Sequence, residues 1–254
     1  MNLFSLEKAE RTTEAAEVRH PPETARENPE QLLQPLREIG AVSNCREAVT
    51  RCDIEAIGKL MDYKQGVEIN GKLVLGNCGL DSSRNLLALC GKKYSEEYIT
   101  KYAIDHKLCA YSERIPPASR GGTTPERRAE LNRRFGVELE TFFQERVNWN
   151  AVADKLEAGH RGILSLNAGI YWNRPEHVSL DEKGRPVSNH VVTLLGAVRD
   201  KQSGEVVGFY ICDTGAAQKQ PYTYISVDQL NKCCKGVRNA CVQMTAKSYG
   251  EVKL

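Results

Sequence analysis

Gly76-Asn77-Cys78-Gly79-Leu80-Asp81-Ser82-Ser83-Arg84-Asn85-Leu86-Leu87-Ala88-Leu89 is the stretch on which the reading of this chain turns. A glycine turn delivers a lone cysteine to the mouth of an apolar run, Leu80 to Leu89, that reads as a helix, and Gly91 stands where a C-cap glycine is expected. About 110 residues on, Asn189-His190-Val191-Val192 puts a histidine at the start of a β-branched run. Ile211-Cys212-Asp213-Thr214-Gly215 then ends the next strand with an acid. Cysteine, histidine and acid, in that order on one helix and two strands, supply the nucleophile, base and orienting group of an activated thiol.

The two strands can be set in register by counting. With Lys201-Gln202-Ser203-Gly204 as the turn, Asp200 stands opposite Glu205 and Val192 opposite Asp213. His190 then lies one diagonal step from the acid on the same face. That spacing lets the carboxylate hold one imidazole nitrogen and leaves the other facing the thiol. At a helix N-terminus the backbone N–H groups and the helix dipole lower a thiol's pKa toward the thiolate. The same amides can stabilise a tetrahedral oxyanion, at about 3 kcal/mol per donor. Gly79 is expected to let a substrate carbonyl approach the backbone. His177 shares a loop with Trp172, Arg174 and Pro175 and is expected at the rim of the cleft.

Composition excludes more than it selects. Of 254 residues, 41% are hydrophobic and 27% charged, and the net charge of +2 comes from interspersed acids and bases. No nucleic-acid or membrane footprint is therefore expected. No apolar run approaches the roughly 18 residues of a membrane span. Met1 to Arg11 lacks the apolar core and small-residue cleavage site of a signal peptide. Nine cysteines, an odd number without regular spacing, point to free thiols in a reducing workplace. Cys233, Cys234 and Cys241 come nearest to a zinc set, but no Cys-x-x-Cys pair occurs, so no metal and no cofactor are expected.

Residues 1–40, rich in Glu, Arg, Pro and Ala, are expected to be a flexible leader, either a delivery segment or a plain tail, and 41–254 a catalytic domain. The spacing of Ala48, Val49, Cys52, Ile54, Ile57, Leu60 and Met61 predicts a helix from Cys45 to Met61. Asn70-Gly71 predicts a hairpin over Val67 to Leu75. Further helices are expected from Ser95 to His106, from Thr124-Pro125 to Phe135, and over 150–158 and 228–234, with an irregular loop from Cys109 to Thr124. Strands are expected over 137–143, 162–167, 190–198, 205–212 and 222–227. Helices first and strands later describe an α+β fold: an N-terminal helical lobe carrying the nucleophile helix, packed on an antiparallel sheet.

Gly-Asn-Cys-Gly-Leu ahead of an apolar helix, Asn-His-Val-Val-Thr-Leu-Leu-Gly, and Gly-Phe-Tyr-Ile-Cys-Asp-Thr-Gly together resemble the papain-like toxin domains of bacterial polymorphic toxins and secreted effectors. Those domains are related to bacteriocin-processing cysteine peptidases, and the similarity spans roughly residues 65 to 245. The resemblance implies a papain-like fold in which Cys78 is the nucleophile, His190 the general base and Asp213 the orienting acid. Papain-like peptidases commonly carry an oxyanion glutamine about six residues before the cysteine; that position here is Lys72. Gln65 takes the part only if the hairpin folds back, and Asn77 or backbone amides are the substitutes.

The activity so implied is that of a cysteine endopeptidase cutting a protein at small-residue, Gly-Gly-like sites. Its setting is a toxin secreted without a recognisable signal peptide, through a contact-dependent secretion system, and working in the recipient-cell cytoplasm. A cognate immunity protein would block it in the producer. A protein glutamine deamidase uses the same triad, and a degenerate papain-like fold can serve as a non-catalytic binding module. The sequence leaves both alternatives open.

Overall fold

The computed structural model describes residues 36–42, 45–215 and 220–252. Its strands are β1 (Arg37–Val42), β2 (Cys45–Thr50), β3 (Val67–Ile69), β4 (Lys72–Val74), β5 (Leu139–Phe143), β6 (Gly162–Leu166), β7 (His190–Asp200), β8 (Val206–Cys212), β9 (Thr223–Ser226) and β10 (Cys241–Thr245). Its α-helices are α1 (Ile54–Gly58), α2 (Cys78–Leu89), α3 (Glu96–Asp105), α4 (Pro125–Arg134), α5 (Trp149–Glu157), α6 (Ala168–Tyr171) and α7 (Val227–Cys234). Residues 1–35 of the expected leader lie outside the described residues, and its last part enters β1.

Eight strands form one antiparallel sheet centred on β7, and β3 and β4 form a separate hairpin. One edge of β7 pairs with β6 along its first half and with β2 at its far end. The other edge pairs with β8, which passes the sheet on to β9. Beyond β6 come β10 and then β5. Helices cover both faces. Leu80, Leu86 and Leu87 of α2 share one core with Ile99 and Ala103 of α3, Leu131 of α4, and Ile163 and Val191 of the sheet. On the opposite face Val152 and Leu156 of α5 and Leu230 of α7 pack against Val192, Leu194, Phe209 and Ile211. Sandwiching on both faces explains why β6 and the first nine residues of β7 are buried without alternation.

The expected α+β architecture, a nucleophile helix on an antiparallel sheet, is the observed one. Helix starts follow their caps: Ser95 accepts from the Tyr98 N–H, Thr124 from Arg127, and Asn148 from Asn150 and Ala151. The hairpin turns at Asn70 and Gly71, both at positive φ (51° and 73°), as a tight turn of this hand requires. The predicted Cys45–Met61 helix is not formed. Cys45–Thr50 is β2, hydrogen-bonded to β1 and to the far end of β7, and the helix begins only where the Asp53 carboxylate caps the Ala56 N–H. Sheet pairing on both edges overrides the helical spacing there. Strand β10, between β5 and β6, was not expected from the pattern, which reads Cys-Val-Gln-Met-Thr with a polar residue in its middle.

The loop from Cys109 to Thr124 contains one turn of 3-10 helix, Pro117–Ser119, and is pinned from within. Ala110 N–H donates to the Gly122 carbonyl and Gly121 N–H to the Ala110 carbonyl, both at 2.7 Å. The buried Arg120 guanidinium donates to the carbonyls of Leu73, Ser112, Glu113 and Ile115. Arg120→Ala leaves those carbonyls without their donor and is expected to destabilise the fold by about 2–4 kcal/mol. Urea unfolding measures the loss, and hydrogen exchange should quicken first within 110–122.

Candidate active site

Seating of α2 on β7 sets the site. Ser82 Oγ donates to the Val191 carbonyl (3.0 Å) and Thr193 Oγ1 to the Ser82 carbonyl (3.4 Å), with all three residues buried. Cys78 lies one helical turn before Ser82. Its thiol therefore reaches the first residues of β7, where it meets the His190 imidazole and the Val191 N–H. Cys78 is half-buried and free of any disulfide.

Strands β7 and β8 bring His190 to Asp213. Arg199 pairs with Val206, as counting from the turn requires, but Val198 pairs with Gly208 and Gly196 with Tyr210. A second irregularity between Leu194 and Gly196 restores the count, so Thr193 faces Cys212 and the next pair in line is Val192 with Asp213. His190 Nε2 and Asp213 Oδ1 are 2.6 Å apart, in a contact where both side chains are buried. With Nε2 engaged, Nδ1 is the nitrogen left for the thiol. Asp213 Oδ1 also accepts from the Gly215 N–H (2.9 Å), and Oδ2 accepts from the Trp172 indole N–H (2.8 Å).

The charges follow from these contacts. Burial opposes ionisation of Cys78, but the hydrogen bond and charge of His190, the Val191 N–H and the Arg128 cation outweigh it and hold the thiol below its ordinary pKa. Burial likewise opposes the imidazolium, yet Asp213 and Cys78 push His190 up to about 10. Asp213 is desolvated, and still lies below the usual carboxylate value because His190, Trp172 and Gly215 all favour its ionised form. These contacts favour the thiolate of Cys78, the imidazolium of His190 and the carboxylate of Asp213.

The supporting residues are placed less uniformly. The hairpin folds back as Gln65 required: its side-chain amide donates to the Leu75 carbonyl (2.7 Å), its Oε1 accepts from Thr214 Oγ1 (2.9 Å), and its N–H donates to the Thr214 carbonyl (3.0 Å). Gln65 thus ties the strand end before Cys78 to the residue after Asp213. Asn77 is corrected. Its amide donates to Glu96 Oε1 (2.7 Å) and Thr100 Oγ1 (3.4 Å) on α3, so it anchors the start of α2 rather than serving an oxyanion. At Gly79 a Cβ would lie 2.1 Å from Thr123 Oγ1 and 3.2 Å from Arg128 Cδ, so the close packing of α2 against Thr123 and Arg128 requires glycine there.

Two residues escaped the sequence reading of the site. Trp172, read only as a loop neighbour of His177, donates to Asp213, and its ring centre lies 5.1 Å from that of His190. It follows α6, which starts at an Asn167 cap, while Asn189 Oδ1 accepts from the Ala168 N–H (2.8 Å) and so ties that turn to the residue before His190. Arg128 of α4 is buried and lines the same cleft as Cys78, and the sequence reading of that helix did not single it out. A cleft of about 470 Å³ opens over the thiol, bounded among others by Cys78, Gly122, Thr123, Ser188, His190 and Asn239.

No protein-family model matches the chain, and no curated protein matches it. Among solved structures, the chain is similar to a double-glycine-motif protease from an AMS/PCAT transporter, crystallised with the leader peptide, at 15% identity over 73% of this chain and 94% of that one, with a TM-score of 0.39. It is also similar to a C39-like peptidase from Bacillus anthracis at 12% identity over 75% of this chain and 96% of that one, with a TM-score of 0.49.

The pKa directions set a pH window for thiol reactivity. The pair is lost on the acid side as Cys78 takes up a proton, and on the alkaline side as His190 gives one up near 10. Iodoacetamide should therefore alkylate Cys78 at a lower pH than it does an ordinary thiol. His190→Ala should return its pH profile to that of an ordinary cysteine; overlapping profiles would refute the ion pair. Trp172→Phe keeps the ring and removes the donor to Asp213. A drop of about tenfold or more in kcat/KM is expected, as for a lost hydrogen bond to a buried charge.

Proposed function

We propose that this protein is a cysteine endopeptidase with Cys78 as nucleophile, His190 as acid and base, and Asp213 as the group that orients His190. The observation that carries the reading is the continuous line of buried contacts from the Cys78 thiol through His190 to Asp213 and Trp172. In the proposed reaction the thiolate attacks a peptide carbonyl carbon, and the carbonyl oxygen takes the charge. The Cys78 N–H at the head of α2 and the one Gln65 amide N–H not given to Leu75 are the proposed donors to that oxyanion. As the C–N bond breaks, the His190 imidazolium gives its proton to the leaving amine and a thioester remains. Neutral His190 then takes a proton from water, whose oxygen attacks the thioester. Collapse releases the acid and restores thiolate and imidazolium.

The delivered-toxin setting, with a protein substrate in a recipient cell, cutting at small-residue sites and a cognate immunity protein, rests on the motif resemblance alone and is proposed on that basis. The test expresses the wild type and Cys78→Ala in a bacterial cytosol and compares the two proteomes for new protein termini and deamidated glutamines. New termini confined to the wild type are expected, with turnover by Cys78→Ala at least about 10³-fold lower. Intact but deamidated targets would replace the peptidase with a glutamine deamidase. Identical proteomes would remove Cys78 from any catalytic role.

A further inference from the structure

Arg128 sits in the second turn of α4 with only 2% of its surface exposed. Among the described residues its guanidinium hydrogen-bonds only to uncharged groups: Nε donates to Gln243 Oε1 (2.9 Å), Nη1 to Thr123 Oγ1 (3.3 Å), and Nη2 to Ser165 Oγ (2.6 Å), with Cys241 Sγ 4.0 Å from Nη2. None of these is a carboxylate, and a buried cation without a countercharge is costly. The location supplies a countercharge. Arg128 Cδ lies 3.2 Å from the position of a Cβ on Gly79, the residue after Cys78, and Arg128 and Cys78 line the same cleft.

We infer that Arg128 is a positioning residue for the nucleophile: a fixed, buried cation whose countercharge is the thiolate of Cys78. Charge balance supports this. Thiolate, imidazolium and Asp213 carboxylate carry one net negative charge in a buried site, and Arg128 neutralises it. The titratable groups facing Arg128 are Cys78 from α2, Cys241 from β10 and Glu126 from its own helix. Glu126 is exposed, and burial pushes the Cys241 thiol up despite Arg128, so it stays protonated. Of the two thiols, only Cys78 is held below its ordinary pKa.

This inference rests on Cys78 being the nucleophile, and the experiment separates the two claims. The rate of Cys78 alkylation by iodoacetamide is followed against pH, by mass spectrometry, in the full-length wild type and in Arg128→Gln, Arg128→Lys, Gln243→Glu and Arg161→Gln. Gln243→Glu keeps the arginine but sets a carboxylate against Nε, so it tests the charge even if Arg128→Gln fails to fold. Arg161 is the control, a buried arginine at the other end of α2 that donates to the carbonyls of Leu89, His160 and Gly250. Arg128→Gln and Gln243→Glu should raise the alkylation midpoint by about one pH unit, about a tenfold loss of rate on the acid limb. Arg128→Lys should keep most of the wild-type profile, and Arg161→Gln should leave the midpoint in place. A folded Arg128→Gln or Gln243→Glu with the wild-type midpoint overturns the inference and leaves the nucleophile standing. A wild-type Cys78 no more reactive at acid pH than an ordinary thiol overturns the nucleophile itself.

Discussion

Strand β7 is gripped along both edges, and the site depends on that grip. The stretch from His190 to Leu194 is bonded to β6, Val198 to Asp200 to β2, and the opposite edge to β8. A strand paired on both sides cannot slide, and a slip of one residue would turn His190 to the wrong face. Because Ser82 bonds α2 to the Val191 carbonyl, the helix is registered to the same strand. Cysteine and histidine, 112 positions apart in the chain, are thus placed by one set of backbone bonds. The buried core on both faces makes those bonds expensive to expose.

How far this was legible in the sequence is clearest at the β7–β8 pair. Counting back from Lys201–Gly204 put Val192 opposite Asp213, and the observed pairs return to that count at Thr193 and Cys212, but not along the path assumed. Two irregularities, one beside Val207 and one beside Leu195, shift the register and shift it back. Val192 and Leu194 share a core with Ala197, so the face also changes parity at the bulge. Bulges have no reliable local signal, and here one cancelled the other. Caps and turns were legible for a sturdier reason: Ser95, Thr124, Asn70 and Gly71 act through bonds or dihedrals confined to a few neighbouring residues.

What the sequence concealed was set by distant partners. Cys45–Thr50 has helical spacing, yet open edges on β1 and β7 claim it. Gly79 signals backbone freedom, but its space is taken by Thr123 and Arg128 from a loop and helix more than forty positions away. Asn77 stands beside Cys78 in sequence and faces Glu96 in space. Arg128 reads as one more charge in Pro-Glu-Arg-Arg until β10 and β6 bury it with Gln243 and Ser165.

The electrostatics of α2 show why these concealed residues matter to the thiol. A helix presents positive partial charge at its first turn and negative at its last. Arg128 adds a cation at the first turn, and Arg161 satisfies the Leu89 carbonyl at the last. Asp81, in the first turn, would oppose a thiolate if it were ionised. It is fully buried, and neither of its oxygens is hydrogen-bonded among the described residues. Burial first, and then the nearby Asp62 and Glu96, push it well above its ordinary value, which favours its neutral form. At the head of the helix His190, the Val191 N–H and Arg128 favour an anion at Cys78, and His190 stands between the Asp213 carboxylate and the sulfur.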